Sequence, residues 1–198
     1  MQAGHYYHVY NRGINGGNIF FEARNYPFFL QKYAYYLSPV VDTYAYCLLG
    51  NHFHLLIRVK EEWTLPHRSD FAEKGLHDVN NVVSKRFSDF FNAYVKSINK
   101  AYNRTGGLLD TPFRRLRVDH PAYFQRLIHY IHANPQKHGF VEDYRDYPYS
   151  SYYSHLSNQP TRLAREAVLG WFGSAGAYRD FHAGSPDESG IGGVIIEV

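Results

Sequence analysis

The chain has 198 residues, of which 44% are hydrophobic, and its formal net charge is +3 at neutral pH. This length suits one ordinary domain with an extension, and this composition excludes general disorder. No apolar run approaches the ~20 residues that a membrane-spanning helix needs, and the single cysteine excludes an internal disulfide. The N-terminus shows no secretory signal pattern, so we expect a cytoplasmic protein with no membrane partner.

The first third of the chain predicts a strand, a helix and a β-hairpin. Residues 6–11 are rich in Tyr and Val, which favours a strand. Residues 25–37 carry aromatic side chains at helical spacing. Residues 43–48 and 52–59 predict two strands, and the Gly50-Asn51 turn signal between them favours an antiparallel hairpin.

The middle of the chain predicts a helix, a strand and a further helix. Residues 61–77 are polar and irregular and predict a loop. Residues 79–102 form an amphipathic helical pattern, and residues 113–118 predict a strand. Residues 121–133 predict a helix that Asn134 and Pro135 end, because proline disfavours helical geometry in the residue before it.

The order of the first six elements matches a ferredoxin-like split βαβ arrangement. This is an α+β fold with an antiparallel sheet and helices on one face. We expect residues 1–140 to form the main domain. Residues 141–198 should form a mostly helical C-terminal extension, with short helices at 162–172 and 174–181, packed on or beside that domain.

Two histidines occupy alternate positions of the third predicted strand. Since residues i and i+2 of a strand point to one face, His52 and His54 present neighbouring imidazoles that can chelate a divalent cation. The pair alone is a weak signal in a chain with 12 histidines. A structural zinc site would need two more Cys or His ligands, and the zinc-protease and zinc-deaminase motifs are absent from the sequence.

The helix predicted at 121–133 carries a tyrosine one turn before an asparagine. Tyr130 and Asn134 are four residues apart and share a helix face. The amide oxygen of Asn134 suits Mg²⁺ or Mn²⁺ as a third ligand, and the Tyr130 hydroxyl could attack a phosphodiester that the cation polarises. Three competing interpretations stay open: a tyrosine that only packs on the sheet, Asn134 as a helix C-cap, and Tyr123 as the nucleophile.

Basic residues are concentrated in the middle of the chain. Lys85 and Arg86 lie in the long helix, and Arg114, Arg115 and Arg117 lie in the fourth predicted strand. A local basic surface can bind phosphates, although an ordinary solvated surface is the simpler interpretation of the charge alone. The 19 tyrosines and 14 phenylalanines would allow stacking on unpaired bases, or ordinary core packing.

These features together resemble one known family, the single-tyrosine HUH transposases of bacterial insertion sequences, and within it the REP-associated tyrosine transposases most of all. The matching segments occur in the family's order along most of the chain, at residues 7–13, 46–57, 104–114, 130–135, 147–152 and 169–181. The resemblance implies that His52 and His54 are metal ligands. It also implies that Tyr130 is the nucleophile and Asn134 the third ligand, where relatives often carry glutamine.

The resemblance further implies a transposase-like enzyme, with residues 1–140 as its catalytic domain. It would use Mg²⁺ or Mn²⁺ to nick and rejoin single-stranded hairpin DNA through a 5′-phosphotyrosine, and it would associate with the nucleoid when bound to DNA. The predicted DNA-binding residues are Arg12, Lys85, Arg86, Arg114, Arg115 and Arg117. A homodimer, with attack by tyrosine within one chain or across two, is left open.

Two other functions are compatible with the same elements. A ferredoxin-like sheet with aromatic strands can bind single-stranded nucleic acid without chemistry. Replication-initiating and conjugative HUH nickases share the histidine pair, but they usually differ in length, element order or tyrosine number. The chain also departs from the transposase pattern, because His132 stands where many relatives carry an acid and the segment after Ala183 has no recognised counterpart.

Overall fold

A four-stranded antiparallel sheet forms the centre of the fold. The computed structural model describes residues 1–61, 79–120 and 122–184, with only the backbone of 79–81. The strands are β1 (Tyr6–Arg12), β2 (Val41–Leu48), β3 (His52–Val59) and β4 (Arg114–Val118). They lie in the order β2-β3-β1-β4, and every neighbouring pair is antiparallel. The predicted ferredoxin-like α+β arrangement is confirmed.

Two helices cover one face of the sheet. They are α1 (Asn25–Leu37) and α2 (Val79–Ala101), and they pack on each other. Phe53 is fully buried on this face, where it meets Phe29 of α1 and Phe91 of α2. Because side chains alternate along a strand, the flanking residues His52 and His54 lie on the other face.

A third helix, α3 (Ala122–Lys137), covers the face that carries His52 and His54. Its buried side chains Leu127, Ile128 and Ile131 share an apolar cluster with Leu56 of β3. The six ferredoxin-like elements therefore have their helices on one face, as predicted, and α3 closes the opposite face. The histidine pair is enclosed between β3 and α3.

The C-terminal part adds three short helices beside α3. They are α4 (Tyr152–Leu156), α5 (Arg165–Phe172) and α6 (Ala175–Ala183). Ser174 caps α6, because its hydroxyl accepts a hydrogen bond from the Ala177 amide. The segment before α4 pairs with β2, where the Ser151 amide donates to the Tyr46 carbonyl at 2.9 Å. The predicted short helices are present, and the division into residues 1–140 and 141–198 stays a prediction.

The end of α3 differs from the prediction. The helix runs through Pro135 to Lys137 rather than ending at Asn134, so the interpretation of Asn134 as the helix C-cap is wrong. Proline lacks an N–H, and so close to the helix end its cost is limited to the last turn. The additional turn places Lys137 over the ring of Tyr130 and brings His138 beside His52.

Two predictions lie almost wholly outside the described residues: the loop at 61–77 and the segment after Ala183. Among the residues that are described, none of the helices has the length and apolar character to cross a membrane.

Candidate active site

His52 and His54 lie side by side at the start of β3, after the tight turn that joins it to β2. Their ring centroids are 5.3 Å apart, and the rings are nearly perpendicular, at 89°. Both side chains are buried, at 2% and 0% exposure. The Gly50-Asn51 turn fixes this position, since the Leu49 amide donates to the His52 carbonyl at 2.8 Å across the hairpin.

Nδ1 of each histidine is held by a neighbouring side chain. Nδ1 of His52 lies 2.7 Å from Oδ1 of Asn51, while Nδ2 of Asn51 donates to the Gly16 carbonyl. An amide oxygen only accepts hydrogen bonds, so Nδ1 of His52 carries the proton and Nε2 presents a lone pair. Nδ1 of His54 lies 2.9 Å from Nε2 of His8, a residue of β1.

Asn134 brings an oxygen to the same place from α3. Its Nδ2 donates to the Tyr130 carbonyl at 2.7 Å, which leaves Oδ1 as the atom that faces the sheet. The Asn134 side chain lies close enough to His52 to act to raise the pKa of that imidazole, although Oδ1 and Nε2 form no hydrogen bond of normal length and angle. Helix α3 and strand β3 therefore bring the three predicted ligands together.

The atoms that a cation would need are buried and without hydrogen-bond partners among the described residues. They are Nε2 of His52, Nε2 of His54 and Oδ1 of Asn134. Leaving a buried polar atom unpaired costs about 1–3 kcal/mol, so three of them at one place indicate a ligand. Two imidazoles and one amide oxygen fit Mg²⁺ or, better, Mn²⁺. In the described part of the chain, no three Cys, His, Asp or Glu side chains are grouped closely enough to hold a metal ion, so this site depends on the amide.

The protonation state of both histidines suits metal binding. Burial above all, with the charges of His138 and Arg12 and against the opposing effect of Asn134, lowers the pKa of His52 to about 4. Burial, followed by the charges of His8, His52 and His138, lowers the pKa of His54 well below its usual value. Both imidazoles are therefore neutral at pH 7, which is the form that binds metal.

Tyr130 of α3 packs against strands β1 and β3. Its ring packs edge-on to His54, with 5.7 Å between the ring centroids, and to His8, with 6.2 Å. Only 1% of the residue is exposed, and Nζ of Lys137 lies over the ring, 5.4 Å from its centroid. Tyr130 is thus beside the histidine pair of its own chain, while the competing Tyr123 is only half-buried, two turns earlier in the helix.

The structure separates the predicted DNA-binding residues into two groups. Arg12 lies opposite His52 in the β1–β3 register, and Arg114 lies opposite Tyr10, whose ring stacks on His54. These two arginines are on the histidine face. The neighbouring positions of β4 alternate, so Arg115 and Arg117 project to the other face.

The long helix carries the remaining predicted residues away from the histidines. Lys85 forms an ion pair with Asp89 on α2, and Arg86 belongs to the same helix. Helix α2 covers the Phe53 face of the sheet, so these two cations are not brought to the histidine pair.

Sequence reasoning missed three residues of this site: His8, Lys137 and His138. His8 lies on the same face of β1 as Tyr10 and Arg12. Its approach to His54 depends on the β1–β3 register, which the sequence alone does not give. His138 lies with its ring centroid 4.8 Å from that of His52. Lys137 and His138 would have followed from the helical spacing after Tyr130 if Pro135 had not been taken as the helix end.

Comparisons with known proteins point to one group. No family model matches the chain. Over 112 residues, 57% of its length, the chain is 27% identical to a protein of Haemophilus influenzae described as a "Putative REP-associated tyrosine transposase", and the match spans 59% of that relative.

A solved structure of a REP-associated tyrosine transposase bound to a REP hairpin has a similar fold. The TM-score is 0.59 at 13% sequence identity, with 82% of this chain and 87% of the other covered. At this identity the likeness concerns the fold alone. Together, the two comparisons confirm the resemblance to REP-associated tyrosine transposases that the sequence predicts.

Proposed function

We propose that this protein is a metal-dependent endonuclease and strand transferase that acts on single-stranded hairpin DNA through a covalent phosphotyrosine. The observation that carries the proposal is that Nε2 of His52, Nε2 of His54 and Oδ1 of Asn134 are all buried and unpartnered among the described residues, on side chains that are neighbours. A purely structural role for these side chains does not explain why their free atoms meet beside Tyr130.

In this proposal, His52, His54 and Asn134 hold Mg²⁺ or Mn²⁺. When bound, the cation would polarise the scissile phosphate and stabilise the charge that develops on it. Nδ1 of His52 is fixed by Asn51, so the lone pair of Nε2 is already directed at the site before metal arrives. Such preorganisation lowers the cost of assembling the ligand set.

Tyr130 is the proposed nucleophile. Its Oη attacks the phosphorus, the P–O3′ bond breaks, and the phenolic proton is finally carried by the leaving 3′ oxygen. The products are a 5′-phosphotyrosine and a free 3′-hydroxyl, and the phosphodiester energy is retained. The reverse reaction, by a 3′-hydroxyl of another strand end, gives strand transfer rather than hydrolysis.

The cations around Tyr130 support a role in phosphate binding. Lys137 is exposed and covers the Tyr130 ring, so its movement toward an incoming phosphate would uncover the nucleophile and pair the negative charge at the same time. Arg12 is about half exposed and is paired with Asp110 at 2.9 Å. Arg12, Arg114 and Lys137 are cations near the histidines that could pair with DNA phosphates.

The test is capture of the covalent adduct. The protein is incubated with labelled hairpin oligonucleotides that carry single-stranded flanks, with Mn²⁺, and is resolved on a denaturing gel. We expect an adduct with the natural chain and none with Tyr130→Phe. The matched control is Tyr123→Phe on the same helix, which should form the adduct at the natural yield.

Two outcomes would contradict the proposal. An adduct with Tyr130→Phe that is lost with Tyr123→Phe would transfer the nucleophile to Tyr123. Tight DNA binding without any adduct, with or without Mn²⁺, would instead favour a non-catalytic single-stranded nucleic-acid-binding module.

A further inference from the structure

His8 is a fully buried histidine that the proposed chemistry does not use directly. It lies in the middle of β1 and is 0% exposed. Its ring stacks on His54, with centroids 5.1 Å apart and planes at 21°, and its Nε2 lies 2.9 Å from Nδ1 of His54. A buried polar side chain in this position needs an explanation, since burying an imidazole beside another has no apolar benefit that a leucine would not give.

The contact between the two rings has two possible directions. Either Nδ1 of His54 donates to Nε2 of His8, or the reverse. In the first case Nε2 of His54 carries a lone pair. In the second case Nε2 of His54 must carry the proton of the neutral ring, and this buried N–H would have no acceptor among the described residues.

From this geometry we infer that His8 is a positioning residue that accepts a hydrogen bond from Nδ1 of His54 and thereby directs the Nε2 lone pair of His54 into the site. The inference rests on the proposed function. His8 itself then carries its proton on Nδ1. Asn51 performs the same task for His52 with an amide oxygen, so each histidine of the pair has its own partner on a neighbouring segment.

The surroundings of His8 fix its ring in this orientation. Tyr10 packs against it at 5.1 Å between centroids, and Tyr130 packs edge-on at 6.2 Å. Leu56 lies directly opposite His8 in the β1–β3 register and is 0% exposed. A histidine ligand whose second nitrogen is held in this way is oriented and made more basic, and removal of such a partner typically weakens metal binding about 10- to 100-fold.

The first measurement uses the metal-free protein. Long-range proton–nitrogen correlation NMR reports which ring nitrogen of each histidine carries the proton. We expect His54 to be protonated on Nδ1 in the natural chain and to become a mixture of tautomers in His8→Leu. Protonation of His54 on Nε2 in the natural chain would overturn the inference, even if His8→Leu failed to fold.

The second measurement is Mn²⁺ binding, followed by electron paramagnetic resonance of the free ion. His8→Leu should bind Mn²⁺ about 10- to 100-fold more weakly than the natural chain. His8→Gln places an amide oxygen near the position of Nε2 and should restore most of the affinity. The matched control, Ile57→Ala, removes buried packing on the other face of β3 and should lower stability without changing the tautomer or the Mn²⁺ affinity.

These results separate the inference from the proposed function. Equal Mn²⁺ affinity in the natural chain and His8→Leu, with an unchanged His54 tautomer, would overturn the role of His8 alone. No Mn²⁺ binding by the natural chain would contradict the proposed function, while the tautomer of His54 would still decide whether His8 accepts its proton.

Discussion

Helix α3 has a group of buried histidines on each side, and the two groups differ in what their nitrogens do. The strand histidines are His8, His52 and His54. The C-terminal histidines lie on α3 itself and on the helices of the extension: His129, His132, His155 and His182. All seven are buried, so burial does not distinguish a site from a core.

Two of the C-terminal histidines, His132 and His182, are joined by a hydrogen bond. Nδ1 of His182 donates to the Tyr178 carbonyl at 2.8 Å, so its Nε2 accepts from Nδ1 of His132 at 3.1 Å. Nε2 of His132 in turn accepts from the Ser151 hydroxyl at 2.7 Å. This chain of hydrogen bonds joins α3 to the extension and uses the lone pairs that a metal would need.

Two members of the C-terminal group have no such partners. His129 and His155 make no hydrogen bonds of normal length and angle through their ring nitrogens among the described residues, although the Tyr44 backbone lies close enough to His155 to act to raise its pKa. Their free nitrogens do not form a metal site, because no third Cys, His, Asp or Glu side chain is suitably grouped with them in the described part of the chain. The unpartnered amide oxygens of the described residues belong instead to Asn99 on α2 and to Asn134 beside the strand histidines. The comparison teaches that free atoms beside an oxygen donor, and not the number of imidazoles, distinguish the strand group as the candidate metal site.

The largest expected effect is on Mn²⁺ affinity, which should fall when a strand histidine is removed and stay unchanged when a C-terminal histidine is removed. His54→Ala should weaken Mn²⁺ binding by more than about 100-fold, since loss of a ligand exceeds the loss of a ligand's partner. His155→Ala is the matched control, because it also removes a buried imidazole. It should leave the Mn²⁺ affinity unchanged while lowering the free energy of unfolding by about 2–4 kcal/mol. Equal losses of affinity in both variants would erase the distinction between the groups.

The next largest effect is the loss of folding stability at low pH. Burial lowers the pKa of His155 to about 4, below the usual value of about 6.5. The unfolded chain therefore binds a proton between these pH values that the folded chain does not, so stability is greatest above pH 6.5 and falls as the pH falls. At pH 5 the cost from His155 is about 2 kcal/mol.

Urea unfolding at pH 7.5 and pH 5.0, without metal, measures this cost. The natural chain should lose about 2 kcal/mol more between the two pH values than His155→Leu does. An identical loss in both proteins would mean that His155 is protonated or solvated in the fold. Tyr123→Phe is a suitable reference, because it changes one side chain without removing an imidazole.

Much of the fold followed from local patterns in the sequence. The helix at Asn25–Leu37 and the strand at His52–Val59 were predicted at their observed bounds, because aromatic periodicity and the Gly50-Asn51 turn are local signals. The ligand set His52, His54 and Asn134 also followed from local rules, the alternation of a strand and the spacing of a helix. Their roles stay predictions until the experiments above are done.

The parts that sequence reasoning missed depend on contacts between distant segments. The approach of His8 to His54 depends on strand register, 46 residues apart in sequence. The role of His132 in joining α3 to the extension depends on His182, 50 residues later. The predicted end of α3 is wrong for a different reason. The rule for the residue before proline describes a tendency, and here the helix continues through Pro135.

The smallest expected effect tests the alternation of β4. Arg114 shares the histidine face, whereas its neighbour Arg115 projects to the opposite face and lies over Phe113. Both side chains are exposed on the same edge strand. They are adjacent and carry the same charge, so they form a matched pair that differs in the face of the sheet to which each side chain projects. If DNA crosses the histidine face, Arg114→Ala should reduce the slope of log affinity against log salt by about 0.7, the value for one phosphate contact with a single strand. Arg115→Ala should leave the slope unchanged.

The measurement is fluorescence anisotropy of a labelled hairpin over a range of salt concentrations. Equal reductions in both variants would mean that DNA wraps around the β4 edge and contacts both faces, and no change in either would return both arginines to the ordinary solvated surface.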